Sequence, residues 1–261
     1  MRAHLKLKFN SNVKDVMTPH LRTKTLSFVA IFAALYMVLR MIPTVPMFGT
    51  GASFSLSDIL PAIYGIILGP FVGGASIIIG TFIAMGLGRP VIFLGLDFLP
   101  ATVCAIVAGL LYKRNWLTTI GLYSILLIAF SLYPLTSFFI SIQIGNAKYS
   151  FPFPWLHIIA LVVLLSPLGQ RASSLIKSLK TVNITVGLTT LAFIGTMAQH
   201  LMGNLLFETI LAKPVGSIDP AAYPIIWTGI FFVYPIERIV LVLVAVLIGT
   251  PLIKILKQSF I

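Results

Sequence analysis

The sequence predicts an all-α fold, a polytopic bundle of transmembrane helices. Of its 261 residues, 58% are apolar and only 9% are charged. A soluble domain carries about a quarter charged residues to cover its surface, whereas a surface that faces lipid must be apolar. The apolar residues are also grouped into runs close to the roughly 20 residues that a helix needs to cross a bilayer. Together these observations predict a multi-pass protein of the cell membrane, surrounded by the lipid bilayer.

Residues 1–25 form a basic segment with six Lys and Arg side chains, which we expect to be cytoplasmic. The apolar run that follows, 26–42, is longer than the roughly 7–15 apolar residues of a signal peptide. It also continues into Arg40 and Pro43 rather than into a cleavage site of small residues. We therefore interpret this run as the first spanning helix of a single transmembrane domain, residues 26–257.

Eight segments are apolar enough to be predicted as spans. They lie at 26–42, 57–69, 71–88, 91–112, 116–142, 154–170, 183–207 and 235–256. The second and third are short and are joined by a Gly-Pro turn, so they either cross the membrane fully or form a re-entrant hairpin. Both alternatives return the chain to the same side. Residues 222–234 are also apolar, and we interpret them as a lead-in segment at the outer face, because a ninth span would place Lys254 and Lys257 outside.

The distribution of basic residues predicts the orientation of the bundle. With the N-terminus inside, thirteen of the 18 Lys and Arg residues lie on the cytoplasmic side, and the opposite loops hold only Arg89, Lys148 and Lys213. Cytoplasmic loops of membrane proteins carry such an excess of Lys and Arg. Both termini are therefore predicted to be cytoplasmic. The net charge of +12 reports this topology, and we expect no nucleic-acid partner.

Ionisable and polar side chains gather in the outer third of the predicted bundle. A charge in hydrocarbon costs at least about 2.5–3.5 kcal/mol unless it is paired or hydrated, so such groups indicate a functional cavity. We expect a solute cavity that opens outward. The predicted substrate-binding residues are Arg40, Asp58, Asp97, His200, Asn204, Glu208, Glu237 and Arg238. The aromatic residues predicted to offer stacking surfaces are Tyr64, Tyr223, Trp227 and Tyr234.

Several of these residues have simpler explanations. Asp58 is equally explained as an N-terminal helix cap, and His200 alone is more often a hydrogen-bonded bundle residue than a solute contact. His200 does share one helix face with Asn204 and Glu208, at i, i+4 and i+8. Arg89 is expected to extend its side chain to the lipid headgroups.

Helix geometry predicts where the charged residues of the cavity lie and which of them pair. Asp97 is expected about two turns into the helix at 91–112. Adjacent residues point about 100° apart on a helix. Glu237 and Arg238 are therefore expected to pair with other groups rather than with each other, and Arg40 and Asp97 are candidate partners.

Absent motifs exclude several functions. There is no phosphate-binding loop for ATP, no H-E-x-x-H and no G-x-S-x-G. The single cysteine, Cys104, excludes an intramolecular disulfide and a cysteine-based zinc site, and we expect it to be a small core residue. We therefore predict no catalytic residue, no metal site and no cofactor.

Small residues recur at helical spacing on three predicted helices, a pattern that permits close helix packing in lipid. On the third and fourth helices, at 76, 80, 84, 88 and at 101, 105, 109, internal packing is the better explanation. The first helix carries Ser27, Ala30, Ala33 and Ala34, where a partner helix is the alternative.

Three stretches resemble the substrate-binding S components of energy-coupling factor (ECF) transporters. They are Ala30-Ile-Phe-Ala-Ala34, the run 54–74, and the Tyr-Pro-Ile-Glu-Arg helix that ends at 251–257. The resemblance extends well over 26–112 and loosely over 183–257.

The resemblance implies that the chain binds a vitamin-like solute from outside and then docks on a transmembrane T component driven by two ATPases. It assigns Ala30 and Ala34 to docking, residues 43–57 to a lid, and the pocket to helices 91–112, 183–207 and 235–256. The family core has six helices, so residues 116–170 are interpreted as a two-helix insertion. Metal ions are disfavoured as the solute, because metal-binding members carry a histidine second in the chain whereas this sequence starts Met-Arg-Ala-His.

Two other functions stay open. A solitary proton-coupled carrier would use Asp97 or Glu208 as its proton site. An intramembrane enzyme or assembly factor would depend on paired carboxylates such as Asp58 and Asp97. We expect the chain not to be an enzyme.

Overall fold

The computed structural model describes residues 19–258, and these are mostly helical. The helices are α1 (Pro19–Arg40), α2 (Pro61–Ile67), α3 (Pro70–Gly86), α4 (Leu99–Tyr112), α5 (Trp116–Ser131), α6 (Trp155–Leu165), α7 (Pro167–Lys177), α8 (Thr181–Leu211) and α9 (Tyr223–Gln258). Two antiparallel hairpins join them, β1 (Pro43–Pro46) with β2 (Ser53–Ser55) and β3 (Phe139–Ile144) with β4 (Ala147–Pro152). Most of the predicted basic segment, residues 1–18 with the Met-Arg-Ala-His start, lies outside the described residues.

The prediction of a helical membrane protein is confirmed. Within residues 19–258, α8 and the helix at Pro220–Leu256 are each long and apolar enough to cross a membrane. The pair α6 and α7 meets the same test together, although the two are bent by 68° at their junction. Four further helices are apolar but shorter: Thr25–Arg40, Pro70–Gly86, Leu99–Tyr112 and Trp116–Ser131.

The fifth predicted span, 116–142, is wrong in its second half. The helix α5 ends at Ser131, and residues 139–144 form strand β3 instead. Pro134 explains the end of the helix, because the residue before a proline is driven out of the helical conformation. The alternation of Phe139-Ile-Ser-Ile-Gln-Ile144 suits a strand, and Gly145, at φ 61°, provides the tight turn into β4.

The last two predicted segments form one helix. Residues 222–234, predicted as a separate lead-in, continue from Tyr223 without a break into the predicted final span, and Tyr223–Gln258 together form α9. The lead-in is therefore the first part of one long helix and not a separate segment. Pro235 and Pro251 lie inside this helix, which membrane helices tolerate because neighbouring groups satisfy the freed carbonyls.

The small residues on the third and fourth predicted helices serve close internal packing, as predicted. A side chain at Gly109 would lie only 2.8 Å from the carbonyl oxygen of Gly65 on α2, and one at Gly80 would lie 2.6 Å from that of Ala33. Ala33 is thus buried against α3 and does not belong to a partner surface. Cys104 is buried in the core, as predicted. Gly88 falls beyond the end of α3, so the predicted row there is one residue shorter.

Replacing Gly65 with alanine is expected to destabilise the protein strongly. The added Cβ would overlap the carbonyl oxygen of Ala105, and backbone atoms cannot rotate away as a side chain can. We expect the free energy of unfolding to fall by about 1–3 kcal/mol or more, which is measured as a lower thermal unfolding midpoint in detergent. The control is Gly121→Ala on α5, where nothing lies within 4 Å of the new atom. Equal midpoints for the two variants would contradict the close contact between α2 and α4.

Candidate functional site

A pocket opens at one end of the helix bundle. Its walls come from the end of α1, the β1–β2 hairpin, the loop between α3 and α4, and facing parts of α8 and α9. Counted out to its mouth, the space measures about 1020 Å³. Seven of the eight predicted substrate-binding residues line it: Arg40, Asp58, Asp97, His200, Asn204, Glu237 and Arg238. Side chains from five separate segments of the chain therefore meet at one site.

Glu208, the eighth predicted residue, does not line this pocket. It shares the α8 face of His200 and Asn204 but lies one turn further along, where the segment after α5 covers it. Its side chain is fully buried, and its Oε1 accepts a hydrogen bond from the Thr136 hydroxyl at 2.7 Å. Glu208 does lie on the predicted face of the helix, but the pocket ends one turn before it.

Asp58 lines the pocket and also takes part in a helix start, where Ser55 is the N-cap residue and Asp58 the third residue of a capping box. It lies in a short 3-10 turn, Leu56–Ile59, and its Oδ2 accepts the backbone N–H of Ser55 at 3.4 Å, as in a helix cap. Its Oδ1 accepts a hydrogen bond from Gln199 Nε2 on α8 at 2.9 Å. The carboxylate thus ties the start of α2 to α8 at the pocket wall.

Asp97 lies in the loop before α4, not two turns inside a helix. Leu94 and Gly95 adopt positive φ values of 52° and 91°, which prevents the helix from starting at residue 91. The two carboxylate oxygens accept the backbone N–H groups of Ile92 and Phe93 at 3.0 and 3.1 Å. The carboxylate therefore stabilises the loop and does not pair with Arg238, for which the sequence suggested it as a candidate partner.

Glu237 and Arg238 pair with each other, which corrects the prediction from their helical directions. Arg238 Nη2 lies 3.1 Å from Glu237 Oε1. Both side chains are long enough to bend toward each other, and both are nearly buried, with 2% of Arg238 and 10% of Glu237 exposed. The guanidinium of Arg238 also lies 5.2 Å from the centre of the Phe54 ring, within the range of a cation–π contact.

Arg89 holds the β1–β2 hairpin and does not extend to headgroups as predicted. Its Nη2 donates to the carbonyl oxygens of Ser53 at 2.5 Å and Phe54 at 3.1 Å. Partial burial and, after it, the nearby charge of Arg40 lower the pKa of Arg89. Phe48, at the far end of the same hairpin, packs over Gly229 of α9. The segment predicted as a lid therefore forms an ordered hairpin that is fixed at both ends of the pocket.

His157 supports the pocket from α6, inside the segment predicted as an insertion. Its Nε2 lies 3.0 Å from Nδ1 of His200, and the Tyr123 hydroxyl donates to its carbonyl oxygen at 2.9 Å. The ring of Tyr234 stacks on that of His200 with 4.9 Å between centroids. Sequence reasoning missed His157, although the rule that flags polar residues inside spans applies to it as well. It missed Gln199 for a similar reason, because only charges and one helical row were considered.

Replacing His157 with leucine is expected to weaken solute binding at His200. The substitution removes the hydrogen bond that orients the His200 ring, and one such bond is worth about 0.5–1.5 kcal/mol, or roughly a 2- to 12-fold change in affinity. His157→Gln, which retains a hydrogen-bonding side chain, is the matched control and should restore part of the affinity. Solute binding by the purified protein measures both. Unchanged affinity in the leucine variant would show that the pair is structural only.

Of the four predicted stacking residues, only Tyr234 lines the pocket. Tyr64, Tyr223 and Trp227 are buried elsewhere in the bundle, and each donates a hydrogen bond to a backbone carbonyl. Other aromatic residues take their place along the pocket wall, namely Phe48, Phe54, Phe93 and Phe207. The sequence therefore predicted aromatic side chains at the pocket wall, but three of the four residues that it indicated lie elsewhere.

Ala30 and Ala34 are exposed along one side of α1, away from the pocket. Ala33, between them in sequence, points the other way and is buried. The side of α1 that carries the two alanines is flanked by exposed apolar side chains, Ile31 and Leu35. No group of three His, Cys, Asp or Glu side chains within residues 19–258 is arranged to hold a metal ion.

Comparison with known proteins identifies the family. The family model of the ECF-type riboflavin transporter S component matches residues 20–163, from α1 into α6. An uncharacterized protein from Methanocaldococcus jannaschii is 29% identical over 171 residues. That alignment covers 64% of this chain and 53% of the relative, so the chain spans about half the length of the curated relative that it matches. No solved structure matches the chain.

The family match confirms the resemblance that the sequence showed over 26–112 and continues through most of the segment interpreted as an insertion, whereas the loosely similar stretch 183–257 lies outside the matched residues. The match extends over more than half of the chain and includes the end of α1, the β1–β2 hairpin and the loop before α4, all of which line the pocket. Membership also agrees with the apolar helices of the structure. The protein belongs to the family of ECF-type riboflavin transporter S components, multi-pass membrane proteins that capture a substrate for transport.

Proposed function

We propose that this protein captures a small, vitamin-like organic solute from the outer face of the membrane and delivers it inward with a T component and two ATPases. The observation that carries the proposal is the pocket itself. Polar side chains from α1, α8 and α9 meet there under an ordered hairpin, and those of α8 are buried. Intramembrane polar groups face the bundle interior or a water-filled cavity and mark substrate pathways.

The orientation of the bundle is part of the proposal. We place the pocket outside and both termini in the cytoplasm. Basic residues at the end opposite the pocket support this arrangement: Lys113 lies beside Gly69, and Lys254 Nζ donates to Thr181 Oγ1 at 3.0 Å. An excess of Lys and Arg marks the cytoplasmic side.

The eight predicted spans and the domain plan remain part of the same proposal. It comprises a core at 26–112 and 183–257 and the segment 116–170 between them. The helix α2 has only seven residues, about 11 Å, so it cannot cross a bilayer alone. Because Asp58 lines the pocket and Gly69 lies beside Lys113 at the opposite end, we favour a crossing by the 3-10 turn Leu56–Ile59 and α2 together, which returns through α3.

In this proposal the β1–β2 hairpin is the gate of the pocket. It covers the site through Phe48 and Phe54, and Arg89 holds it in place through two carbonyl groups. Opening the gate would break those hydrogen bonds and the contacts of Phe48 with Gly229 and of Phe54 with Arg238, without disturbing a helix. Solute entry thus requires movement of one short segment only.

Delivery requires partners, because the chain carries no ATP-binding loop. We propose that the T component packs against Ala30 and Ala34. Small side chains allow two helices in lipid to approach closely, and both alanines are exposed on α1. The solute is then released on the cytoplasmic side as the docked protein topples in the membrane.

The proposal is tested by purifying the tagged full-length protein from its native membrane in a mild detergent. Mass spectrometry then identifies the proteins and small molecules that accompany it. Recovery of a T-like membrane subunit and two ATPases is expected. Purification without them, together with uptake by the protein alone in vesicles, would overturn the proposal.

The second candidate function is a solitary proton-coupled carrier, and Glu208 favours it. This buried carboxyl group has one oxygen, Oε2, for which no partner lies among the described residues. Carboxyl groups of this kind act in proton relays of membrane proteins. A carrier would lose uptake when the proton gradient collapses but not when ATP is depleted, whereas an ECF importer shows the opposite response.

A further inference from the structure

Among the pocket residues, most of the buried polar atoms that have no hydrogen-bond partner are donors. Nε of Arg40, Nε of Arg238 and Nδ2 of Asn204 are buried without an acceptor among the described residues. All three residues line the pocket. The corresponding acceptor is a single atom, Oε1 of Gln199. A solute that satisfies this site must therefore bring acceptor oxygens.

The acidic residues of the pocket already have donors within the protein. Asp97 accepts two backbone N–H groups, Asp58 accepts from Gln199 and Ser55, and Glu237 accepts from Arg238. Each of these carboxylates therefore already receives at least one hydrogen bond from the protein itself. The equal numbers of arginines and acids that line the pocket, three of each, do not by themselves set its preference.

Arg40 is the arginine with the most capacity left. Arg89 donates to the β1–β2 hairpin, and Arg238 is paired with Glu237. Within residues 19–258, no carboxylate oxygen lies within 4.0 Å of a guanidinium nitrogen of Arg40. A buried or half-buried guanidinium favours a carboxylate or a phosphate, whose oxygens match its fork of donors.

The rest of the wall is apolar. Phe93, Phe207 and Tyr234 line it together with aliphatic side chains of α9, Ile230 and Val233. Ring faces of this kind bind flat or aliphatic bodies and leave charged groups to the polar side of a pocket. The site thus has an apolar part and a separate part rich in unused donors.

We propose that the solute is an organic anion, with an apolar body and one carboxylate or phosphate group bound by Arg40. This inference rests on the proposed function, since it names the chemical class of solute for the same pocket. It excludes neutral riboflavin, the solute named by the family model, as the preferred ligand.

The test is binding of matched anionic and neutral compounds to the purified full-length protein in detergent, by calorimetry and thermal shift. The carboxylate pairs are nicotinate and nicotinamide, biotin and biotinamide, lipoate and lipoamide, and pantothenate and panthenol. Flavin mononucleotide and riboflavin form the phosphate pair, so the panel also distinguishes the two anion types. We expect at least one anionic member to bind about tenfold or more tightly than its neutral partner.

Variants identify the residue responsible. Arg40→Gln should reduce the affinity of that anionic member about tenfold or more and leave the neutral partner little changed. Arg40→Lys keeps the charge and should retain part of the affinity, which separates charge loss from misfolding. Arg171→Gln, an exposed arginine of α7 far from the pocket, is the control and should bind as the unaltered protein does.

Two outcomes overturn the inference: no anionic member binds, or a neutral partner binds as tightly as its anion. Neither depends on the T component or the ATPases. Co-purification of those subunits with a protein that prefers riboflavin would leave the proposed function intact and refute only the anionic class. Preference for an anion by a protein that purifies without such subunits would support the anionic class and refute the proposed function.

Discussion

Replacing Ala30 and Ala34 together by tryptophan is expected to abolish solute uptake while leaving solute binding unchanged. Both alanines are exposed on α1 and lie on the side away from the pocket. Their replacement leaves the core intact, but two indole rings prevent the close helix approach on which association in lipid depends. Uptake in whole cells and binding to the purified protein measure the two activities separately.

The control places the same two tryptophans on a different surface. Ile125 and Ile128 of α5 are 66% and 56% exposed, so their replacement also adds indole rings to an apolar surface. That variant should retain uptake and co-purify with the partner subunits. If the α1 variant transports normally, the T component does not dock on Ala30 and Ala34, whatever the identity of the solute.

Replacing Arg238 with methionine is expected to cause the largest loss of stability among single changes in the pocket. The substitution leaves Glu237 nearly buried and without its ionic partner, and breaking a buried pair costs about 3–5 kcal/mol. It also removes the cation from the ring of Phe54. A lower thermal unfolding midpoint in detergent and loss of solute binding should appear together.

The double variant Glu237→Gln, Arg238→Met separates the ion pair from the rest of the site. It has no unpaired carboxylate, so it should recover much of the stability, because replacing both members of a buried pair costs far less than removing one. Solute binding should stay weak, since the guanidinium is still absent. Equal unfolding midpoints for the single and double variants would show that the two side chains do not stabilise each other.

Part of the site followed from the sequence because helix periodicity is local. His200 and Asn204 lie one turn apart on α8, as their spacing requires, and both reach the pocket. Arg40 lies at the end of the first apolar run, where a charge is tolerated. In each case the position depends on one helix and its depth in lipid, and both can be estimated from the order of residues.

Contacts between distant segments could not be estimated in this way. The hydrogen bond between Asp58 and Gln199 joins residues on different helices, and so does the hydrogen bond between His157 and His200. Asp97 was placed within a helix because the run around it is apolar, whereas its carboxylate binds the backbone of its own loop. Nothing in the local pattern of residues distinguishes these arrangements.

The sequence by itself determined that lipid surrounds the protein, that the fold is helical, which family it belongs to, and most of the polar residues that line the pocket. These properties depend on composition and on apolar runs, since a bilayer requires every spanning segment to satisfy its own backbone. The tertiary structure alone decided which polar groups meet: it joined Glu237 to Arg238, left Glu208 outside the pocket and brought His157 to its wall. Those outcomes depend on side-chain reach across helix interfaces, where a shift of one turn moves a group by about 5 Å.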